Sequence, residues 1–117
     1  MRFFRPNPRC ATARGDATNR VRLALQAALI GQITPEMRLI SVEVEPAAIR
    51  VVIYFDRVLP DDDRDAAAEE ISSCVGLELG DPPAGPVVAC HFLRCDDPQR
   101  VPVRGLVVFA RKGTLTC

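Results

Sequence analysis

Residues 37–56 read MRLISVEVEPAAIRVVIYFD, and this stretch decides the fold. From Met37 to Glu45, Ile40, Val42 and Val44 share one face, while Arg38, Ser41 and Glu43 supply most of the polar content. A period of two is the signature of a strand with unlike faces. Glu45-Pro46-Ala47-Ala48 reads as a turn, and a second strand is expected from Ile49 to Asp56. There Ile49, Val51, Ile53 and Phe55 alternate with Arg50, Val52, Tyr54 and Asp56. So short a connection makes an antiparallel hairpin the economical pairing. The Ile49 face is the better candidate for the core, since the alternate face carries Arg50 and Asp56.

Upstream, Asp16 or Thr18 can cap a helix over roughly 18–31. Val21, Leu25, Ala28 and Leu29 fall at i, i+4, i+7 and i+8, one apolar stripe, and Gly31 ends it before Thr34-Pro35. Downstream, Pro60-Asp61-Asp62-Asp63 opens a second helix with Asp61 as the expected N-cap, its acids favoured by the positive end of the helix dipole. Ala67, Ile71, Cys74 and Val75 make the buried stripe, leaving Asp63, Glu69 and Glu70 toward water. Gly80 to Pro86 is a rigid loop. Strands follow at Val87–Cys95 and Leu106–Arg111, joined through an Asp96-Asp97-Pro98 loop. The order α-β-β-α-β-β predicts an α+β fold: a four-stranded, mostly antiparallel sheet with both helices on one face. Its other face is expected to carry Val52, Tyr54, Val88, Phe92 and Phe109, rather apolar for a solvated surface. A partner, a second copy of the chain or a tighter closure of the sheet would each cover it.

The chain has 117 residues and 12.8 kDa, enough for a single domain. That domain is expected at 16–112. Residues 1–15, Arg-rich and aperiodic with Pro6, Pro8 and Gly15, are expected to form a disordered tail, and 113–117 a short C-terminal one. The acid-free start also suits an organellar transit peptide. No apolar run approaches the about 18–20 residues of a membrane span, so no membrane partner is expected. The formal net charge is zero but unevenly spread. Residues 1–22 hold six arginines against one aspartate, whereas residues 56–97 hold three arginines against eleven acids. Cys10, Cys74, Cys90, Cys95 and Cys117 make an odd count without an apolar secretory segment before them, which points to reduced thiols and a cytoplasmic location.

Candidate chemistry is sparse. Cys90, His91 and Cys95 combine thiol and imidazole, but on a strand Cys90 faces opposite to His91 and Cys95. Zinc requires three or four converging ligands, so no metal site and no local Cys–His dyad is expected. Gly76, Gly80 and Gly85 have no phosphate-loop spacing, and no cofactor is predicted. The most prominent feature is the acidic group Asp56, Asp61, Asp62, Asp63, Asp65, Glu69 and Glu70. It reads as a solvated helix start, as a surface for a basic protein partner, or as a divalent-metal or paired-carboxylate site. A calcium loop would place a glycine at its turn, which this run lacks. The folded portion beyond residue 22 is net acidic, so specific nucleic-acid binding is disfavoured.

Several of these stretches resemble a known group of proteins. They are Ala28-Leu29-Ile30-Gly31-Gln32-Ile33-Thr34-Pro35, then Met37-Arg38-Leu39-Ile40-Ser41-Val42, then Val52-Ile53-Tyr54-Phe55-Asp56. The helix opening Asp62-Asp63-Arg64-Asp65 and the final strand Gly105 to Lys112 extend the resemblance over residues 23–112. The chain is similar to small bacterial immunity-type proteins of contact-dependent growth inhibition and related polymorphic toxin systems. The resemblance implies a cytosolic, non-catalytic inhibitor that binds one cognate toxin domain and blocks its active site. The charge map agrees with a basic toxin domain as partner, contacted through Asp56 and the acidic surface of residues 61–70. Two alternatives stand beside it: a small structural or adaptor domain that forms a homodimer through the open sheet face, and a metal-dependent hydrolase using Asp56.

Overall fold

The computed structural model describes residues 8–114. Its elements are α1 (Pro8–Ala28), β1 (Met37–Val44), β2 (Ala48–Phe55), α2 (Asp61–Leu79), β3 (Val87–Arg94) and β4 (Leu106–Ala110). The α-β-β-α-β-β order and the α+β class are as the sequence predicts. Four strands form one sheet in the order β3-β2-β1-β4. The hairpin β1–β2 is antiparallel, with Ile40 opposite Ile53 and Val42 opposite Val51. β4 joins the other side of β1, also antiparallel. β3 lies parallel to β2, from Ala48 opposite Val87 to Phe55 opposite Arg94. The sheet is therefore mixed, because α2 carries the chain back along the sheet before β3 begins. A parallel neighbour requires such a crossover.

α1 begins earlier than its apolar stripe suggests, and the expected boundary at residue 16 falls inside it. Residues 8–15, read from the sequence as part of an unstructured tail, form its first turns. Proline is tolerated at a helix start, where its missing N–H has no intrahelical acceptor, and an interior glycine costs only about 1 kcal/mol. Residues 1–7, and 115–117 of the expected C-terminal tail, lie outside the described residues.

Both helices pack on one face of the sheet. Val21, Leu25 and Ala28 of α1, with Leu29 directly after it, meet Ala67, Ile71 and Val75 of α2 over Ile40, Val42, Ile49, Val51, Ile53 and Phe55. Burying each of the larger aliphatic side chains contributes about 2 kcal/mol, so this layer dominates the folding free energy. Val88, Phe92 and Phe109 also face the helices, correcting their expected place on the far side. Register explains it: Val88 pairs with Ile49, Phe92 with Ile53 and Phe109 with Ile40. Val52 and Tyr54 do lie on the far face, in a small cluster with Leu39, Cys95 and Val101.

The chain between β3 and β4 folds over that far face. Arg38, expected among the polar residues of β1, is only 3% exposed. Its Nη1 donates to the carbonyls of Cys95 at 2.7 Å and Gln99 at 2.8 Å, and its Nη2 lies 3.7 Å from Asp97. One buried guanidinium thus holds the 95–99 segment against the sheet. Gly105, with φ at 70°, then brings the chain against β1, where a Cβ would lie 2.4 Å from the Val42 carbonyl oxygen.

Candidate functional site

α2 starts directly at Asp61, with Pro60 in the N-cap position and no side-chain cap, so Asp61 does not cap the helix. Asp61, Asp62 and Asp63 instead occupy the first turn, where the dipole favours them. Asp61, Asp62, Asp65, Glu69 and Glu70 are exposed, and Asp63 is half-buried. Asp61, Asp65 and Glu69 recur every four residues and form one row along the helix. Arg64, the one cation within this run, turns away from them. Its Nε donates to the Leu59 carbonyl at 3.1 Å, and its guanidinium lies 4.9 Å above the centre of the Phe55 ring. Among the described residues, none of the five exposed acids has an ion-pair partner within 4 Å. The outer surface of α2 thus presents acids without ion-pair partners among the described residues.

Asp56 stands apart from those acids. It is 6% exposed at the end of β2. Arg111 grips it, Nη2 to Oδ2 at 2.9 Å and Nη1 to Oδ1 at 3.4 Å. Arg57 Nε lies 3.7 Å away. The Arg111 hydrogen bond, reinforced by the charges of Arg111, Arg57 and Arg38, holds the Asp56 carboxyl below its ordinary value of 3.8. Arg111 also donates to the Pro35 carbonyl at 2.8 Å, so the pair ties the ends of β2 and β4 to the loop before β1. Asp56 is thereby engaged in holding the fold and is buried, whereas Asp61 is exposed.

A second arginine–carboxylate pair follows β3. Asp96 accepts from Arg94 Nε at 2.9 Å and Nη2 at 3.0 Å, and from the Arg57 backbone N–H at 3.0 Å. Arg94 first, then the Arg57 N–H, lower the Asp96 pKa from 3.8. The thiols do not converge. Cys90 points into the helix-side core, where burial pushes its thiol up to about 11. His91 is exposed on the opposite side of the strand, and Cys95 is buried in the far-face cluster, its thiol donating to the Arg100 carbonyl at 3.6 Å. Among the described residues, no three of His, Cys, Asp and Glu come together as a metal-binding group. No helix among them is long and apolar enough to cross a membrane.

An open groove of about 1050 Å³ runs between α1 and the loop before β3. Val21, Ile49, Leu79, Pro83 and Pro86 give it a largely apolar lining, with Glu45 at its side. It offers no convergent set of acid, base and nucleophile.

Two comparisons bear on these features. The sequence model of the MafI2 immunity protein family matches residues 18–113, most of the chain. No curated protein matches it.

Proposed function

The chain belongs to the MafI2 immunity protein family, and from that premise we propose that it binds and neutralises one cognate toxin domain through the acidic outer surface of α2. Membership gives an immunity-type role and, with it, a toxin as partner. The observation that carries the reading further is the state of Asp61, Asp62, Asp65, Glu69 and Glu70. All are exposed, and none has an ion-pair partner among the described residues. Uncompensated like charges repel one another mildly in the free protein, and a basic partner relieves that repulsion on docking. The partner surface is accordingly rich in Lys or Arg. The inhibition is steric and non-catalytic, and it takes place in the cytoplasm, where the toxin would act on its producer.

Asp56 is not a contact residue in this proposal, because Arg111 occupies its carboxylate. Capture of the tagged chain from its native cells, at low and moderate salt, tests the reading. The expected result is a stoichiometric toxin domain that co-elutes, is released by salt, and loses its toxicity when the chain is bound. Recovery of the chain alone, or of a domain whose toxicity it leaves intact, contradicts the proposal.

A further inference from the structure

β2, α2 and β3 form a crossover unit that leaves β3 at the border of the sheet. Among the described residues, no strand pairs with its outer edge. The direction of the free groups can be read from the bonds at the two ends of β3. The Val87 N–H donates to the Ala47 carbonyl and the Cys95 N–H to the Phe55 carbonyl, both on the β2 side. The register between them is continuous. Backbone groups alternate in direction along a strand, so Val88, Cys90, Phe92 and Arg94 turn their N–H and C=O groups outward.

The two borders of the sheet differ. β4 has five residues, a register shift opposite Ile40 and Ser41, and Arg104 and Lys112 beside its ends. Short length, irregularity and flanking cations are the usual protections of an edge strand. β3 has eight residues and no bulge, proline, lysine or acid, and its one charge, Arg94, is paired with Asp96. Val87 and Leu93 add exposed apolar side chains at 56% and 46%. Such an edge is a ready template for an incoming strand.

Charge selects the occupant. α1 packs along one flank of α2, where Arg20 Nε bonds Glu78 at 3.0 Å. β-α-β crossovers are right-handed, and with that hand the helical spacing of Asp61 and Asp65 from the buried Ala67, Ile71 and Val75 turns them to the β3 side of α2. We propose that β3 receives an extended, Lys- or Arg-bearing segment of the toxin domain as a fifth strand, with the acidic row of α2 pairing the cations of that segment. This deepens the docking reading and rests on it. Backbone pairing supplies affinity that is indifferent to side chains, and the acids supply selection for a basic strand.

Amide hydrogen exchange tests the proposal without altering the protein. The isotope-labelled chain is measured alone and bound to the toxin domain that co-purifies with it. In the free chain, the amides of Val88, Cys90, Phe92 and Arg94 are expected to exchange faster than those of Ala89, His91 and Leu93, which face β2. In the complex, exchange at the four outward amides slows at least tenfold, while Leu106–Ala110 is unchanged. A neutralising complex in which those four amides exchange as before overturns strand addition and leaves the acidic docking surface standing. Protection already present in the free chain, together with a doubled mass, assigns the edge to a second copy and also overturns it. Failure of any toxin domain to bind overturns the docking reading and this inference with it.

Discussion

Asp56 and Arg111, fifty-five positions apart in the sequence, meet in a two-pronged pair that closes the ends of β2 and β4 over the loop before β1. The same guanidinium reaches the Pro35 carbonyl, so one side chain joins three segments. Asp56→Asn keeps the size of the side chain and removes its charge. Losing hydrogen bonds between charged groups costs about 2 kcal/mol, so a corresponding fall in unfolding free energy is expected at neutral pH. Because the folded carboxyl titrates below 3.8, its contribution is complete above that pH and is lost as pH falls through the lower, folded value. The stability difference between the parent chain and the Asn variant should therefore shrink below pH 3.8. A difference that stays constant down to pH 2 would contradict the pairing.

Arg38 gives a second test, on a different part of the chain. Arg38→Ala leaves the carbonyls of Cys95 and Gln99 without their donor and empties a buried site. A loss of about 2–3 kcal/mol is expected. Limited proteolysis should show new cleavage at Arg100 or Arg104 before any cleavage in the hairpin. Equal resistance in both proteins would show that the 95–99 segment is held by something else.

Gly105 is a backbone requirement. A Cβ there would press on the Val42 carbonyl oxygen, and φ lies at 70°. Gly105→Ala is expected to destabilise the protein by more than about 1 kcal/mol, read from denaturant unfolding. Gly31→Ala, where nothing lies within 4 Å although φ is 81°, should cost less.

Cys90 should be chemically quiet. Its thiol, pushed up to about 11 by burial, stays protonated at pH 8. Iodoacetamide is expected to leave Cys90 unmodified in the folded chain and to label it in urea, as mass spectrometry of the digested protein would show. The raised value also favours the folded state less as pH climbs, so stability should decline from about pH 9 toward about 11. Rapid labelling of the folded chain at pH 8 would contradict the burial.

Much of the architecture is legible in the sequence because its periods are unambiguous. The hairpin from Met37 shows strict alternation on its Ile49 face, and both helical stripes are buried as their spacing predicts. β3 and β4 are harder: Val87-Val88-Ala89-Cys90 and Leu106-Val107-Val108-Phe109 are apolar on both faces, so alternation cannot phase them. The parallel pairing of β3 had a signal, since a nineteen-residue helix between two strands suits a crossover. The exposed acids of α2 are visible as a run, whereas the burial of Arg38 and the capture of Asp56 depend on partners far along the chain.

We propose docking of a basic toxin domain on the acidic outer surface of α2. Its most direct test is the association rate constant with the co-purifying toxin domain, measured from low to moderate salt for the parent chain and for the double variant Asp62→Lys, Asp65→Lys. Exposed acids that steer a basic partner accelerate encounter by about tenfold or more, and salt screens the effect. The expected result is an association at least about tenfold slower for the variant at low salt, with a flatter salt dependence and only a small loss of stability, about 1 kcal/mol, from placing a cation in the first helical turn. Equal rates and equal salt slopes for the two proteins would place the docking surface elsewhere on the molecule.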